Sequence, residues 1–250
     1  MKNSLFAGMV VPILALRLLA DGPADNVVEK VRPIPPPGIV VSEELKTSLK
    51  EDAEKFSEEI KEVFLSLTNK PHLQKLSPDV EIYQKAVAYA VEYNEFYKTN
   101  ELDVARSLLA QGRGRLSEIK NGQASWLNAT GLVVRGYRSR IDDSVQPYGL
   151  IIPAGFSRSQ PHAYRLDFWF HGRGETLTEL AFINERQKSF GEFAPSNAIV
   201  LHPYGRYCNG SKFAGETDAF EALEATQKDY PIDDRRIVVR GFSLGGASCW

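Results

Sequence analysis

The chain has 250 residues, 43% hydrophobic and 25% charged, with a formal net charge of -2. A balance this even excludes a basic nucleic-acid or anionic-membrane binder, and the length allows one large domain or a small one followed by part of a larger one. Two cysteines and four histidines (His72, His162, His171 and His202) show no disulfide framework and no metal-ligand spacing, so neither a metal nor a cofactor is expected.

The chain opens with one lysine, an apolar run from Leu5 to Ala20, and then small and polar residues. This layout predicts a secretory signal over residues 1–24, too short to be a stable membrane span, and hence a secreted or periplasmic protein. Arg17 within the run keeps a buried N-terminal helix open as the alternative. Residues 25–41 include VRPIPPPGIV, a proline-rich linker unable to join a helix.

Residues 42–122 read as a helical region. Leu45, Leu49, Phe56, Ile60, Phe64 and Leu67 recur at helical spacing after a capping Ser42, and Asn69-Lys70-Pro71 stops the run. Ser77-Pro78-Asp79 opens a second helix with Tyr83, Val87, Ala90, Asn94 and Tyr97 on its inner face. A third is predicted from Leu102 to Lys120, with Gly112 and Gly114 weakening its middle. One helical pair is too few for a stable tetratricopeptide array, so a small bundle packed on the next domain is expected instead.

From about residue 123 the period changes. GLVVRGYRSR and SVQPYGLIIPAGF read as an antiparallel hairpin turning at Asp142-Asp143. RLDFWFHGRGE, a helix from Thr178 to Lys188, NAIVLHPYG, a helix from Asp218 to Lys228, and RRIVVRGFS follow. Strand, helix, strand, helix, strand predicts an α/β fold with a parallel sheet wrapped by helices, and Ile237-Val238-Val239 suits a strand covered on both faces.

Gly241-Phe242-Ser243-Leu244-Gly245 closes this series. A G-x-S-x-G placed between a strand and a helix is a nucleophile elbow: a strained turn that raises a serine hydroxyl above the sheet. The alternative is a plain glycine-serine turn. His171-Gly172-Arg173-Gly174-Glu175 ends an earlier strand of the same sheet, where a second main-chain amide can join that of Leu244 as an oxyanion hole. The expected donors are Leu244 with Arg173 or Gly172, and His171 is expected to fix the loop. His202, Tyr204, Arg206, Tyr207 and Asn209 follow the fourth strand and can rim a substrate pocket, or simply pack their own loop. Cys208 and Cys249 are expected to be buried thiols.

The stretches WFHGRGE, IVLHPYGRYCNG and RGFSLGGA resemble the first half of an α/β-hydrolase catalytic domain, over residues 123–250. The similarity is to secreted serine peptidases and esterases grouped with prolyl oligopeptidase and with polyhydroxybutyrate-depolymerase or feruloyl-esterase-like enzymes. It implies a truncated α/β-hydrolase sheet preceded by a helical region, and a peptide or ester substrate cleaved through an acyl-enzyme on Ser243. Prolyl oligopeptidases carry a propeller and a tyrosine at the oxyanion site; this chain has a helical block and His171-Gly172 instead. A carbohydrate-ester or polyester esterase is the alternative enzyme, and a non-catalytic module whose helices bind a partner is the alternative outside enzymes. The triad acid and histidine follow the serine in this fold, yet all four histidines precede Ser243. The chain is therefore expected to be a fragment, poorly soluble and hydrolytically silent.

Overall fold

The computed structural model describes Val27, Glu29, residues 32–159 and residues 163–250. The predicted signal and His162 lie outside the described residues. Among the described residues no helix is long and apolar enough to cross a membrane.

The helical region contains α1 (Glu43–Ser66), the single turn α2 (Pro71–Gln74), α3 (Pro78–Glu92) and α4 (Glu101–Lys120). Ser42 caps α1 by accepting from the Leu45 amide at 3.3 Å, satisfying one orphan donor of the first turn. Leu49, Phe56, Ile60 and Leu67 are buried as the spacing predicts, while Leu45 and Phe64 are partly buried at the rim. Asn94 and Tyr97 do not extend the inner face of α3. That helix ends at Glu92, and Asn94 turns into the left-handed region at φ 54°.

The glycines do not interrupt α4. A methyl on Gly112 would lie 2.6 Å from Phe56 Cε1 and 2.9 Å from Tyr83 Cβ, so its bare backbone is what lets α1, α3 and α4 close on one another.

β1 (Gly131–Arg138) and β2 (Val145–Ile152) form the predicted hairpin, with Arg138 opposite Val145 and Gly131 opposite Ile152. β3 (Tyr164–Phe170), α5 (Glu179–Arg186), β4 (Ala198–Pro203), α6 (Ala214–Asp229), β5 (Ile232–Gly241) and α7 (Leu244–Ala247) follow. The strand order is β1-β2-β4-β3-β5, antiparallel through β2–β4 and parallel from β4 to β5. This is the expected α/β architecture, a hairpin plus parallel strands wrapped by helices.

Alternation along β1 shows the two faces. The Tyr137 hydroxyl donates to the Asp218 carbonyl of α6, whereas the adjacent Gly136 packs against the main chain of Pro78 at the head of α3. On β2, Gly149 pairs with Val134, on the same face as Gly136, and meets Arg186 of α5. So α3 and α5 cover one face and α6 the other. Residues 35–250 form one compact unit, with helices and sheet sharing a continuous apolar core.

β4 is buried at all six positions and β2 at all eight. The last strand differs: β5 lies at the sheet edge, none of its residues is buried, and Val239 is 50% exposed. Its apolar run is thus not covered on both faces, because α7 is a single turn and shields little of it.

Candidate active site

The chain leaves β5 at Gly241 and reverses into α7 through Ser243, whose backbone sits at φ 53°, ψ -116°. Positive φ is costly for a residue with a Cβ and persists only where the surroundings enforce it. Here two glycines do so. A Cβ on Gly241 would fall 2.2 Å from the Gly245 carbonyl oxygen, and one on Gly245 would fall 2.0 Å from that of Phe170 at the end of β3. The strand and the helical turn are pressed together at backbone distance, with Ser243 at the apex. Similar angles at Phe213 (φ 54°, ψ -124°) sit on an exposed residue at the start of α6, so strain alone does not define the site.

The Ser243 side chain is exposed, and among the described residues its hydroxyl has no hydrogen-bond partner. It opens into a cleft of about 690 Å³ that His171, Gly172, Arg173, Phe242 and the first turns of α4 and α5 also line. A Cβ on Gly172 would stand 3.7 Å from Ser243 Cβ, which places the histidine-glycine turn directly against the elbow.

The amide of Leu244 opens α7 and has no carbonyl to bond within the helix. At four residues, α7 contributes little macrodipole, so the individual amides matter more than the helix end. Arg173 lines the cleft, and its largely exposed side chain pairs with Glu175 Oε1 at 2.7 Å.

His171 holds this turn. Its Nδ1 lies 2.9 Å from the Gly172 carbonyl and its Nε2 lies 3.2 Å from that of Tyr204. Both ring nitrogens face main-chain oxygens, so the imidazole ties the turn to the end of β4 and makes no contact with the Ser243 hydroxyl. Cys208 adds a support that the sequence did not signal: its Sγ accepts from the Gly174 amide at 3.1 Å. Only proximity in the fold links those two positions.

The other predicted pocket residues do not line the Ser243 cleft. Tyr204 is buried, with its hydroxyl donating to Leu177, and Arg206 is bound to Asp142, Asp218 and Ser139. His202 is buried on β4. Because an arginine can only donate, the 3.1 Å contact from Arg186 to Nδ1 makes that nitrogen an acceptor, and Nε2 is left without a partner. Burial first, and then the Arg186 charge, hold His202 well below the ordinary histidine value of 6.5.

A histidine kept neutral by folding costs stability once the unfolded chain can take up its proton. The contribution is therefore present above pH 6.5 and is lost as pH falls below it. Urea unfolding between pH 7 and pH 5 is expected to lose stability with a slope approaching about 1.4 kcal/mol per pH unit from this residue. His202→Asn, which keeps an acceptor for Arg186, should flatten that slope; an unchanged profile would assign the pH dependence to other groups.

Among the described residues no group of three or more histidine, cysteine or carboxylate side chains is placed to hold a metal.

No protein-family model and no curated protein matches the sequence. Solved structures resemble about half of it. A thermostable esterase is 18% identical, covering 48% of this chain and 36% of its own at a TM-score of 0.33. A ferulic acid esterase is 20% identical (47% and 52% covered, TM-score 0.33). A substrate-bound, fluorophosphonate-binding serine hydrolase of Staphylococcus aureus is 13% identical (47% and 49% covered, TM-score 0.34). The chain thus spans about half the length of these structures, or less.

Proposed function

We propose that this chain carries the nucleophile and the oxyanion donors of a serine hydrolase of the α/β-hydrolase kind, acting on carboxylic esters through an acyl-enzyme. The observation that carries it is the enforced positive φ of Ser243 at a strand-to-helix elbow that abuts the histidine-glycine turn. In the mechanism, Ser243 Oγ attacks the ester carbonyl carbon as its proton passes to a base. The carbonyl oxygen takes up the negative charge between the amides of Leu244 and of Arg173 or Gly172. Collapse expels the alcohol with a proton and leaves an acyl group on Ser243, which water then removes.

Ester is preferred to peptide because no tyrosine lines the Ser243 cleft and the preceding region is helical. A peptidase of the prolyl-oligopeptidase group is the second reading, and a panel of p-nitrophenyl esters against p-nitroanilides separates them. No imidazole or carboxylate among the described residues bonds the Ser243 hydroxyl. Elsewhere, loss of a triad histidine removes about 10⁶ of the rate and leaves about 10³–10⁴ over water. The 250-residue protein is thus expected to hydrolyse p-nitrophenyl acetate at no more than that residual level. Rapid turnover, lost in Ser243→Ala, would show that a base reaches the serine after all.

A further inference from the structure

A second cavity, of about 290 Å³, shares no lining residue with the Ser243 cleft. One wall is aromatic. Tyr89 on α3 and Tyr93 at its C-cap meet edge to face, centroids 5.4 Å apart at 88°, and both are substantially exposed, with Tyr207 also lining the space. The rest of the lining includes acceptors without partners. Glu179 is 9% exposed and Gln146 4% exposed, and Glu179 Oε2 and Gln146 Oε1 are buried without a hydrogen-bond partner. Glu95 lines the same space, and its carboxylate likewise has no partner among the described residues.

The cations present are already committed. Lys85 Nζ lies 2.5 Å from Glu179 Oε1 and 2.8 Å from the Val145 carbonyl, and Arg206 is clamped by Asp142 and Asp218. Three lining carboxylates (Glu95, Asp142 and Glu179) against two lining cations (Lys85 and Arg206) leave one negative charge. Burial raises the Glu95 carboxyl above its ordinary value, as befits a carboxylate short of positive neighbours. Lys85 also shows what these rings accept, since its ammonium sits 4.8 Å from the Tyr89 centroid.

Unpartnered buried acceptors, a surplus carboxylate and tyrosine faces are complementary to a ligand that is cationic, rich in N–H donors and flat enough to stack. We propose that this cavity binds a guanidinium group on a short apolar stem, of the size of an arginine side-chain end. The guanidinium donates to Glu95, Glu179 Oε2 and Gln146 Oε1 and stacks on the tyrosine wall, while the stem lies toward solvent. An anion of the same size would enter a lining whose net charge is already negative.

The test is calorimetric titration of the 250-residue protein with n-butylguanidinium, with n-butyrate and n-butanol as controls. One saturable site for butylguanidinium is expected, with neither control competing. Glu95→Gln removes the surplus charge and should weaken binding about tenfold or more. Tyr93→Leu, at an exposed position that tolerates replacement, should weaken it about three- to fivefold. Absence of saturable butylguanidinium binding, equal binding of butyrate, or affinity unaltered in both folded variants would each overturn the proposal. Binding is read without turnover, so the result stands apart from the chemistry assigned to Ser243.

Discussion

Gly245→Ala is expected to dismantle the elbow. The added methyl would meet the Phe170 carbonyl oxygen at 2.0 Å and that of His171 at 2.6 Å, both main-chain atoms that no rotamer change can move. The only relief is to separate α7 from the end of β3, which also separates Ser243 from the histidine-glycine turn. A loss of roughly 3 kcal/mol is expected in urea unfolding, the upper end for overpacking, since backbone must shift. Gly246 supplies the control. A Cβ there has no neighbour nearer than 3.6 Å, and its φ is not in the left-handed region, so Gly246→Ala should be neutral or slightly stabilising. Equal effects at the two positions would mean that the close approach is not what constrains this turn.

The second large effect is expected far from the serine. Asp79, in the first turn of α3, is 1% exposed and accepts from Trp126 Nε1 at 2.9 Å, Arg135 Nε at 2.9 Å and the Gly136 amide at 2.8 Å. One carboxylate thereby joins the helical region to β1. The Arg135 guanidinium, 3% exposed, continues to Asp229 at the end of α6. Asp79→Ala removes one of the two carboxylates that hold the Arg135 guanidinium in the core and orphans two further donors, so a loss of roughly 3–5 kcal/mol is expected. That is a large share of the stability of any domain. The double variant Asp79→Leu with Arg135→Met removes the pair together, and in a double-mutant cycle it should recover the part of the loss that comes from the guanidinium, while the Trp126 and Gly136 donors stay unpartnered. If it is no more stable than the single variant, the cost lies in packing and the ion pair is incidental.

What the sequence made legible was local. The hairpin followed from alternation around Asp142-Asp143, and the elbow from a strand running into small residues. What it hid depends on residues distant along the chain. Pro78-Asp79 reads as a helix start, and nothing in its neighbourhood announces that Asp79 reaches Trp126, Arg135 and Gly136. Gly112 looks like a weakness in a helix until Phe56 and Tyr83 are seen against it. Arg206 sits in a loop that reads as the rim of the substrate pocket; the fold places it instead at the second cavity, held by ion pairs to Asp142 and Asp218. Nothing in the sequence around Glu95 or Glu179 announces that the fold brings them to one cavity.

The role proposed for Ser243 is that of a nucleophile presented by an enforced turn beside the histidine-glycine turn. Prolonged incubation of the 250-residue protein with a fluorophosphonate, followed by peptide mass mapping, tests it most directly, because the probe reports covalent attack without requiring turnover. A slow adduct is expected at Ser243, absent in Ser243→Ala and greatly diminished in Gly245→Ala. A folded protein that stays unmodified at Ser243, or that reacts at another serine equally fast, would contradict it.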